Sequence, residues 1–337
     1  MNEELIYNYP VISLGSPFGI GYEIFLLSIK KNILNDYYPL VCIGSKKVLN
    51  LFYNLLKFNI DFTYVPYFNK KTLNILKEKK NKFILIDIDE FINIKNFNFN
   101  DIYSISGYLD GLIAYTSIKI AANLVKDNFF KSIVTLPVNK KNINQIDSSF
   151  RGHTEFFQKI WKEKHVYMTF ISDKVKVLLL TTHIPLINVS HNITNKIIKE
   201  GIEYSIKLKE KLNIKKQICF LGLNPHAGEN GLIGKEDLKI YEAIKKYGKN
   251  QIIGPLPSDT AFTQKNLNKY GLFISCYHDQ GLIPFKMLSF DDGVNLSFGM
   301  KYIRTSVDHG TAVDLIGKKK ANLNSFINAY KLAVKLS

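Results

Sequence analysis

Three histidines stand in similar positions along the chain, each directly after a short apolar run. His183 follows VKVLLLTT, His226 lies in NPHAGENG after QICFLGL, and His278 follows LFISCY. Neutral imidazole is a ligand for Zn²⁺ and similar divalent ions, and three such ligands leave coordination positions for a substrate. Because no local H-x-x-x-H spacing is present, each histidine is equally compatible with a hydrogen-bonded loop residue. A divalent-metal site is therefore a hypothesis that depends on the three residues meeting.

A second group of polar residues has the chemistry of an anion-binding site. Lys286, Asn295 and Arg304 come after the last apolar run, and RGHTEFF contains His153 and Thr154 near the start of a predicted helix. Backbone N–H groups at a helix start favour anions, and basic side chains bind phosphate. Solvation of the lysine and arginine, and capping by the threonine, are the alternatives. Neither a P-loop nor a G-x-G-x-x-G fingerprint is present, so these residues do not by themselves indicate a dinucleotide.

Two aspartates adjoin histidines and have more than one possible role. Asp279 follows His278, and Asp308 precedes His309. Each carboxylate could act as a general base or could orient a neighbouring imidazole. Structural or capping roles are equally compatible with the sequence.

The elements that would position these residues follow an alternating pattern. Short β-branched and aromatic runs alternate with stretches of helical period, which predicts an α/β fold with a largely parallel sheet. Predicted helices span 107–128, 194–212 and 235–247, the second with Thr194 as N-cap. The predicted strands are YPVISLG, YPLVCIG, KFILIDI, KSIVTLP, VKVLLLTT, QICFLGL and LFISCY. Since the carboxyl ends of parallel strands line a common crevice, we expect the polar residues that follow these strands to converge there.

The composition is that of a soluble globular protein of more than one domain. The 337 residues exceed the usual size of one core, and 46% are hydrophobic and 22% charged. The chain opens MNEELIYNYP, without the basic start of a signal peptide, and no apolar run is long enough to span a membrane. We therefore expect a cytoplasmic protein without membrane contacts.

The cysteines and the net charge favour plain structural explanations. Cys42, Cys219 and Cys276 are far apart and predict small buried side chains in a reducing compartment. The net charge of +16 is compatible with nucleic-acid binding. However, the lysines are dispersed among Asn, Ile, Tyr and Phe, which favours solvated surface lysines and no nucleic-acid partner.

Segments from residue 15 to residue 317 carry a family resemblance. They are GSPFGIGYEI, LPVNK, GHTEFF, TTHIPL, GLNPHAGENGLIGKED, GPLPSDT, YHDQGLIPFK and GVNLSFGMKYIRTSVDHGTAVDLIG. In these segments and in their order, the chain resembles the 4-hydroxythreonine-4-phosphate dehydrogenase family of the vitamin B6 (pyridoxal phosphate) pathway.

The resemblance implies a fold and an assembly. The expected fold is a two-domain α/β/α fold like that of isocitrate and isopropylmalate dehydrogenases, with the active site in the interdomain cleft at the interface of a homodimer. The first domain would contain residues 1–135 and 275–337. The second, residues 136–274, would carry the metal and dimer contacts.

The resemblance also implies the reaction and its groups. One divalent metal, Zn, Mg or Co, would be held by His183, His226 and His278, contributed by both subunits. NAD or NADP would bind without the glycine fingerprint, at residues that the sequence does not identify. 4-Phosphooxy-L-threonine would be oxidised at its 3-hydroxyl to 2-amino-3-oxo-4-phosphooxybutanoate, which loses CO₂ to give 3-amino-2-oxopropyl phosphate. Asp279 remains a candidate catalytic residue, and the residues implied to bind substrate are His153, Thr154, Lys286, Asn295 and Arg304.

Several loop residues depart from the family pattern, and other activities remain open. The departures are at Ser16, Phe18, Tyr22, Leu136, Asn230 and Leu232, and in Gly317-Lys-Lys, which replaces a GTG-like turn. A dehydrogenase of the same fold acting on 4-phospho-threonate or phospho-erythronate is the nearest alternative, since those substrates differ by a hydroxyl in place of an amine at C2. A three-histidine metal-dependent hydrolase or lyase is a more distant one.

Overall fold

Strands and helices alternate along the part of the chain that the computed structural model describes, residues 9–66, 72, 75, 82–163 and 165–337. The chain divides into two units. Unit 1 contains residues 1–164 and 300–335, and unit 2 contains residues 165–299.

Unit 1 contains a sheet in which the paired strands are parallel. The strands pair in the order β3, β4, β2, β1, β5 and β12. They are β1 Val11–Ser13, β2 Leu40–Gly44, β3 Thr63–Val65, β4 Phe83–Asp87, β5 Ser132–Thr135 and β12 Ile303–Val307. The main helices are α1 Gly21–Lys30, α2 Lys46–Leu56, α3 Gly107–Lys126, α4 His153–Trp161 and α8 Asn324–Leu336; a short helix, Lys140–Ile143, follows β5.

Unit 2 contains a mixed sheet. Its order is β11, β6, β7, β10, β8 and β9, where β6 is antiparallel to both β11 and β7 and the remaining pairs are parallel. The strands are β6 Tyr167–Ile171, β7 Lys176–Leu179, β8 Gln217–Leu221, β9 Ile252–Leu256, β10 Tyr270–Ser275 and β11 Val294–Phe298. The helices are α5 Asn195–Lys211, α6 Glu236–Tyr247 and α7 His278–Ser289, with the shorter helices Val189–Asn192, Ser258–Ala261 and Gln264–Lys269.

Turns of 3₁₀ helix complete the described secondary structure. In unit 1 they are Asn35–Tyr37, Ile94–Asn96, Ile102–Ser104 and Val313–Leu315, and in unit 2 they are Leu186–Asn188 and Pro225–Gly231.

The predicted α/β fold is confirmed, and the sequence runs proposed as strands contain β1, β2, β4, β5, β7 and β8 and overlap β10. Helix α5 begins after Thr194, whose side chain accepts a hydrogen bond from Ile197 N as predicted for an N-cap. The expectation of a largely parallel sheet holds for unit 1 but not for the β11–β6–β7 part of unit 2. There the turn at Ser172 reverses the chain, because its hydroxyl accepts from Val175 N at 3.1 Å.

The unit boundaries lie later in the chain than the predicted domain boundaries. The sequence prediction changes domain at 135/136 and 274/275, whereas contacts divide the structure at 164/165 and 299/300. Residues 136–164 stay with unit 1 because α4 and the short helix Lys140–Ile143 pack on α3. The C-terminal end of α4 is also held there, since Trp161 Nε1 donates a hydrogen bond to Ala122 O at 3.1 Å.

Residues near the start of α1 explain two departures from the family pattern. Tyr22 is fully buried, stacks on Phe52 at 5.4 Å and accepts a hydrogen bond from Ser45 N at 3.0 Å. The Glu23 carboxylate accepts from Gly317 N at 2.6 Å, so α1 anchors the turn that contains the second departure. Gly317 has φ +76°, a conformation that glycine adopts without strain.

The cysteines are free and buried, as expected. No helix among the described residues is long and apolar enough to cross a membrane.

Candidate active site

Arg304 lies on β12 in unit 1, and the residue is almost completely buried, at 3% exposure. Its Nε and one terminal nitrogen both donate to Thr135 Oγ1, at 3.1 and 2.9 Å. The other terminal nitrogen lies 3.5 Å from Thr154 Oγ1. Burial lowers the pKa of Arg304 and nearby Glu155 raises it, but a guanidinium remains a cation at neutral pH. A buried cation held by hydroxyls is suited to binding an anion.

His153 is the first residue of α4 and lies beside this arginine. Its ring is 6.3 Å from the rings of Phe150 and Phe157. Its Nε2 is buried and has no hydrogen-bond partner. Burial, followed by the charges of Arg304 and Lys140, lowers the pKa of His153 well below its ordinary value. The imidazole is therefore neutral at neutral pH and has one ring nitrogen to offer to a ligand.

We call Thr135, His153, Thr154 and Arg304 the arginine cluster. Two of its residues were predicted from GHTEFF, and Arg304 was predicted as a residue that follows the last strand. That placement of Arg304 is wrong, because the residue lies within β12 in register with Ile133 of β5. Thr135 was not predicted, although it lies within the predicted strand KSIVTLP and ends β5.

A buried carboxylate supports the loops next to this cluster. Asp110 on α3 is fully buried and accepts hydrogen bonds from Ser16 Oγ, Phe18 N and Asn142 Nδ2, at 3.1, 2.8 and 2.8 Å. Ser16 in turn accepts from Asn139 N at 2.9 Å. Burial raises the pKa of Asp110, and these hydrogen bonds oppose the rise. Ser16, one of the departures, therefore connects α3 to the loop that precedes Lys140.

Two of the predicted metal ligands lie together in unit 2. His183 follows β7 and His278 begins α7, and their ring centroids are 5.9 Å apart. A Zn–N bond is about 2.1 Å, so two imidazoles on one ion have ring centroids roughly 5 to 6 Å apart. The pair therefore fits binding to a single divalent ion.

Asp279 hydrogen-bonds to one nitrogen of this pair. Its Oδ1 lies 2.7 Å from His278 Nδ1. Since a carboxylate only accepts, the proton of a neutral His278 is on Nδ1 and its Nε2 has a lone pair for a metal. Asp279 thus orients His278, one of the two roles considered for it from the sequence.

His226 lies in an unusual turn of unit 2. Residues 226–230 all have positive φ, with φ 51° for His226 and 52° for Ala227. Left-handed backbone is costly for residues with a side chain and usually occurs singly. His226 itself therefore adopts a strained backbone conformation. The glycine-rich sequence suggested instead that the glycines alone would take up the tight turn.

His226 does not join the other two histidines in a three-ligand group within one chain. Among the residues that the structure describes, no cluster of three or more His, Cys, Asp or Glu side chains could hold a metal ion. That all three histidines bind one ion, with both subunits contributing, stays a prediction.

Asp237 fixes the start of the His226 turn. It is buried on α6 and accepts from Leu223 N and Asn224 N at 2.8 and 3.1 Å, and from Asn224 Nδ2 at 2.9 Å. Gly228 packs against it, since a Cβ added there would lie 3.0 Å from Asp237 Cβ. The acidic pair in GKED at a helix start was a signal that could have indicated such an anchor.

The two remaining predicted substrate residues, Lys286 and Asn295, lie in unit 2. Lys286 is in the last turn of α7, with its Nζ 5.4 Å from the Phe290 ring centroid. Asn295 is on β11, paired with Phe170 of β6. Lys286 follows the predicted strand LFISCY, as expected. The placement of Asn295 after the last strand is wrong for the same reason as for Arg304: β11 and β12 contain polar residues, so the apolar pattern did not reveal them.

The fold and these clusters define an α/β enzyme of two units with polar side chains gathered at the ends of strands and the starts of helices. A model of the family described as pyridoxal phosphate biosynthetic protein PdxA matches residues 36–333. The chain belongs to this family.

Relatives along nearly the whole chain agree with this assignment. A 4-hydroxythreonine-4-phosphate dehydrogenase of Aquifex aeolicus (strain VF5) is 36% identical over 95% of this chain and 96% of its own length. The crystal structure of 4-hydroxythreonine-4-phosphate dehydrogenase from Klebsiella pneumoniae superposes with a TM-score of 0.79 at 28% identity, covering 99% of both chains. A protein named putative D-threonate 4-phosphate dehydrogenase, of Oceanobacillus iheyensis, is 31% identical over 97% of each. The family resemblance seen in the motifs is confirmed, and the chain is an oxidoreductase.

Proposed function

We propose that the chain is a 4-hydroxythreonine-4-phosphate dehydrogenase that depends on NAD or NADP and on a divalent metal. It oxidises the 3-hydroxyl of 4-phosphooxy-L-threonine, and the 3-oxo acid formed loses CO₂ to give 3-amino-2-oxopropyl phosphate. The family match supports the reaction. The observation that carries its metal dependence is the pair of His183 and His278, with Asp279 on the remaining nitrogen of His278.

Each cluster has a role in this proposal. The arginine cluster binds an anionic group of the substrate, because Arg304 is a fixed cation and the neutral His153 can donate or accept a hydrogen bond. Lys286 and Asn295 contribute further substrate contacts. His183, His226 and His278 are the metal ligands, and Asp279 keeps His278 in the tautomer that binds metal. When bound, the metal supplies Lewis acidity and the nicotinamide accepts hydride.

A homodimer is part of the proposal. Unit 2 carries exposed apolar side chains beside each predicted metal ligand: Ile184, Leu186 and Ile187 after His183, Leu232 and Ile233 after His226, and Ile283, Met287 and Phe290 after His278. Exposed apolar surface of this kind marks an interaction surface. A second copy of the chain would cover it while contributing histidines to a shared metal site.

The main experiment is a substrate panel. Purified protein with Zn²⁺, Mg²⁺ or Co²⁺ is given 4-phosphooxy-L-threonine, 4-phospho-D-threonate or phospho-erythronate, and reduction of NAD and of NADP is followed by absorbance. We expect the highest kcat/KM with 4-phosphooxy-L-threonine. No turnover of that substrate with any metal and either cofactor would disprove the proposal.

The Oceanobacillus relative supports a second candidate, a dehydrogenase of D-threonate 4-phosphate. The same panel separates the two, because a preference for the hydroxy acid over the amino acid identifies the second activity. A three-histidine hydrolase or lyase would consume substrate without reducing NAD or NADP.

A histidine variant tests the metal role. His226→Ala should abolish metal-dependent turnover and leave the melting temperature of the metal-free protein unchanged. The matched control is His191→Ala, an exposed histidine of the short helix Val189–Asn192. Equal activity of the two variants would remove His226 from the metal site.

A further inference from the structure

Lys140 brings a second cation close to the arginine cluster of unit 1. It is the first residue of the short helix that follows β5, after the N-cap Asn139. A Cβ added at Gly152 would lie 3.4 Å from Lys140 Nζ, and Gly152 directly precedes His153. Lys140 also contributes, with Arg304, to the lowered pKa of His153. The side chain of Lys140 is exposed, so its ammonium can approach a ligand that reaches the cluster.

The charges around His153 show why a second cation matters. The same point beside Gly152 lies 2.8 Å from Glu155 Oε2, and the charge of Glu155 acts on Arg304. One carboxylate and one guanidinium balance each other, and His153 is neutral. Among these four groups, Lys140 therefore supplies the net positive charge. A phosphate monoester carries about −1.5 to −2 charges at neutral pH and needs that additional positive charge more than a carboxylate does.

Two further features of the region suit a phosphate. The buried Nε2 of His153 has no hydrogen-bond partner, and a neutral imidazole can donate to a phosphate oxygen. The N-cap of the nine-residue helix α4 is Gly152, which has no side chain to cap the helix. Backbone N–H groups at such a helix start favour phosphate.

We propose that Lys140 is a substrate-binding residue, whose ammonium binds the phosphate group of the substrate together with Arg304 and His153. This inference rests on the proposed function for the identity of the substrate. It adds a residue that neither the motif analysis nor the family match assigns.

The test compares Lys140→Met with Lys141→Met. Both variants remove one positive charge from an exposed lysine of the same short helix. The charge of Lys140 contributes to the lowered pKa of His153, whereas that of Lys141 is not one of its causes. We expect Lys140→Met to raise KM for 4-phosphooxy-L-threonine about tenfold or more, as for loss of a charged hydrogen bond. The KM for the nicotinamide cofactor should stay the same, Lys141→Met should match the wild type, and Lys140→Arg should recover much of the affinity.

Inorganic phosphate is a probe that identifies the group bound. It should inhibit the wild type competitively against the substrate, with a Ki that rises in Lys140→Met in the same proportion as KM. An unchanged KM in Lys140→Met, a raised KM with an unchanged Ki for phosphate, or absence of phosphate inhibition of the wild type would each overturn the proposal. Failure of the Lys140 proposal and failure of the proposed function are distinguishable. A chain that does not turn over the amino-acid substrate but still binds phosphate through Lys140 contradicts the proposed function and not the role of Lys140.

Discussion

The tautomer of His278 depends on the residue that follows it. The 2.7 Å contact with Asp279 places a carboxylate on Nδ1, and a carboxylate in this position both orients the ring and increases the basicity of Nε2. Asp279 is itself 71% exposed, so the contact is open to water and adds little to stability. Under the proposed function, its role is to keep His278 in the tautomer that binds a metal.

Asp279→Ala should therefore weaken metal binding without unfolding the protein. We expect metal affinity to fall about 10- to 100-fold, the usual effect of removing such a partner, with an unchanged melting temperature of the metal-free protein. Competition with a chelator for Zn²⁺ measures the affinity. Asp291→Ala removes another exposed aspartate from unit 2 and serves as the control; equal affinities of the two variants would contradict the orienting role.

His153 should make the stability of the protein depend on pH. Its pKa in the folded protein lies well below the ordinary value of 6.5, chiefly because of burial. As pH falls below 6.5, the unfolded chain takes up a proton at this residue and the folded protein does not, so stability is lost, by up to about 1.4 kcal/mol per pH unit. Above pH 6.5 neither the folded nor the unfolded chain takes up a proton at His153, so the residue causes no loss of stability there.

His153→Gln should reduce this loss. We expect the fall in melting temperature between about pH 7.5 and about pH 5.5 to be smaller in the variant than in the wild type, since glutamine does not titrate. His191→Gln removes an exposed histidine and should leave the pH dependence of the melting temperature as it is. An identical pH profile for wild type and His153→Gln would contradict the neutral, buried state of His153.

At the scale of elements, the turn Pro225–Gly231 combines strain with a firm anchor. Five consecutive residues have left-handed backbone, and each non-glycine residue there costs on the order of 1 kcal/mol. Asp237 offsets this cost from the first turn of α6 by accepting hydrogen bonds from two backbone N–H groups. Helix α6 thus determines where His226 is presented.

Asp237→Ala should release this turn. Loss of the buried acceptor leaves Leu223 N and Asn224 N without their partner, and we expect about 2 kcal/mol or more of lost stability. Amide hydrogen exchange should accelerate at residues 222–231 before other parts of unit 2. Glu242→Ala, on the exposed side of α6, should have no such effect, and slow exchange in the Asp237 variant would show that the turn is held by other contacts.

The elements that the sequence predicted are those with a strong local pattern. Strand β8 is buried along most of its length, and most of its sequence is a continuous apolar run. Helix α5 has apolar residues at helical spacing and an N-cap residue, Thr194. Strands β11 and β12 were missed because Asn295, Ser297, Arg304 and Ser306 interrupt the apolar pattern, and burial of those residues depends on neighbouring strands far away in sequence.

Dependence on tertiary contacts also limits how much of the candidate site the sequence predicts. Motif position and resemblance identified His183, His278 and Arg304, which the structure gives defined partners. The partners themselves were not predicted, apart from Asp279, since Thr135 and Asp237 meet their neighbours only through tertiary contacts. Sequence patterns identify residues that carry chemistry more readily than those that hold them in place.

At the scale of the whole molecule, unit 2 exposes several apolar side chains among its described residues. In unit 2, α7 presents Ile283, Met287 and Phe290 at spacings of four and three residues, which places them on one face of the helix. Met287 is 82% exposed. A face of this kind is unfavourable in water unless another surface covers it. Because His278 begins the same helix, the proposed homodimer would cover this face and complete the proposed metal site.

Charging this face should therefore separate the proposed homodimer. The double variant Ile283→Lys with Met287→Lys would place two ammonium groups in the interface, where unpaired buried charge is strongly unfavourable. Light scattering coupled to size exclusion should give the mass of a dimer for the wild type and of a monomer for the variant, with metal-dependent turnover lost in parallel.

The matched control is Ile33→Lys with Phe91→Lys, which charges two exposed apolar residues of unit 1 and should leave a dimer. A monomeric wild type, or a double variant that stays dimeric, would show that α7 is not the interface, and full turnover by a monomer would show that one chain completes the metal site alone.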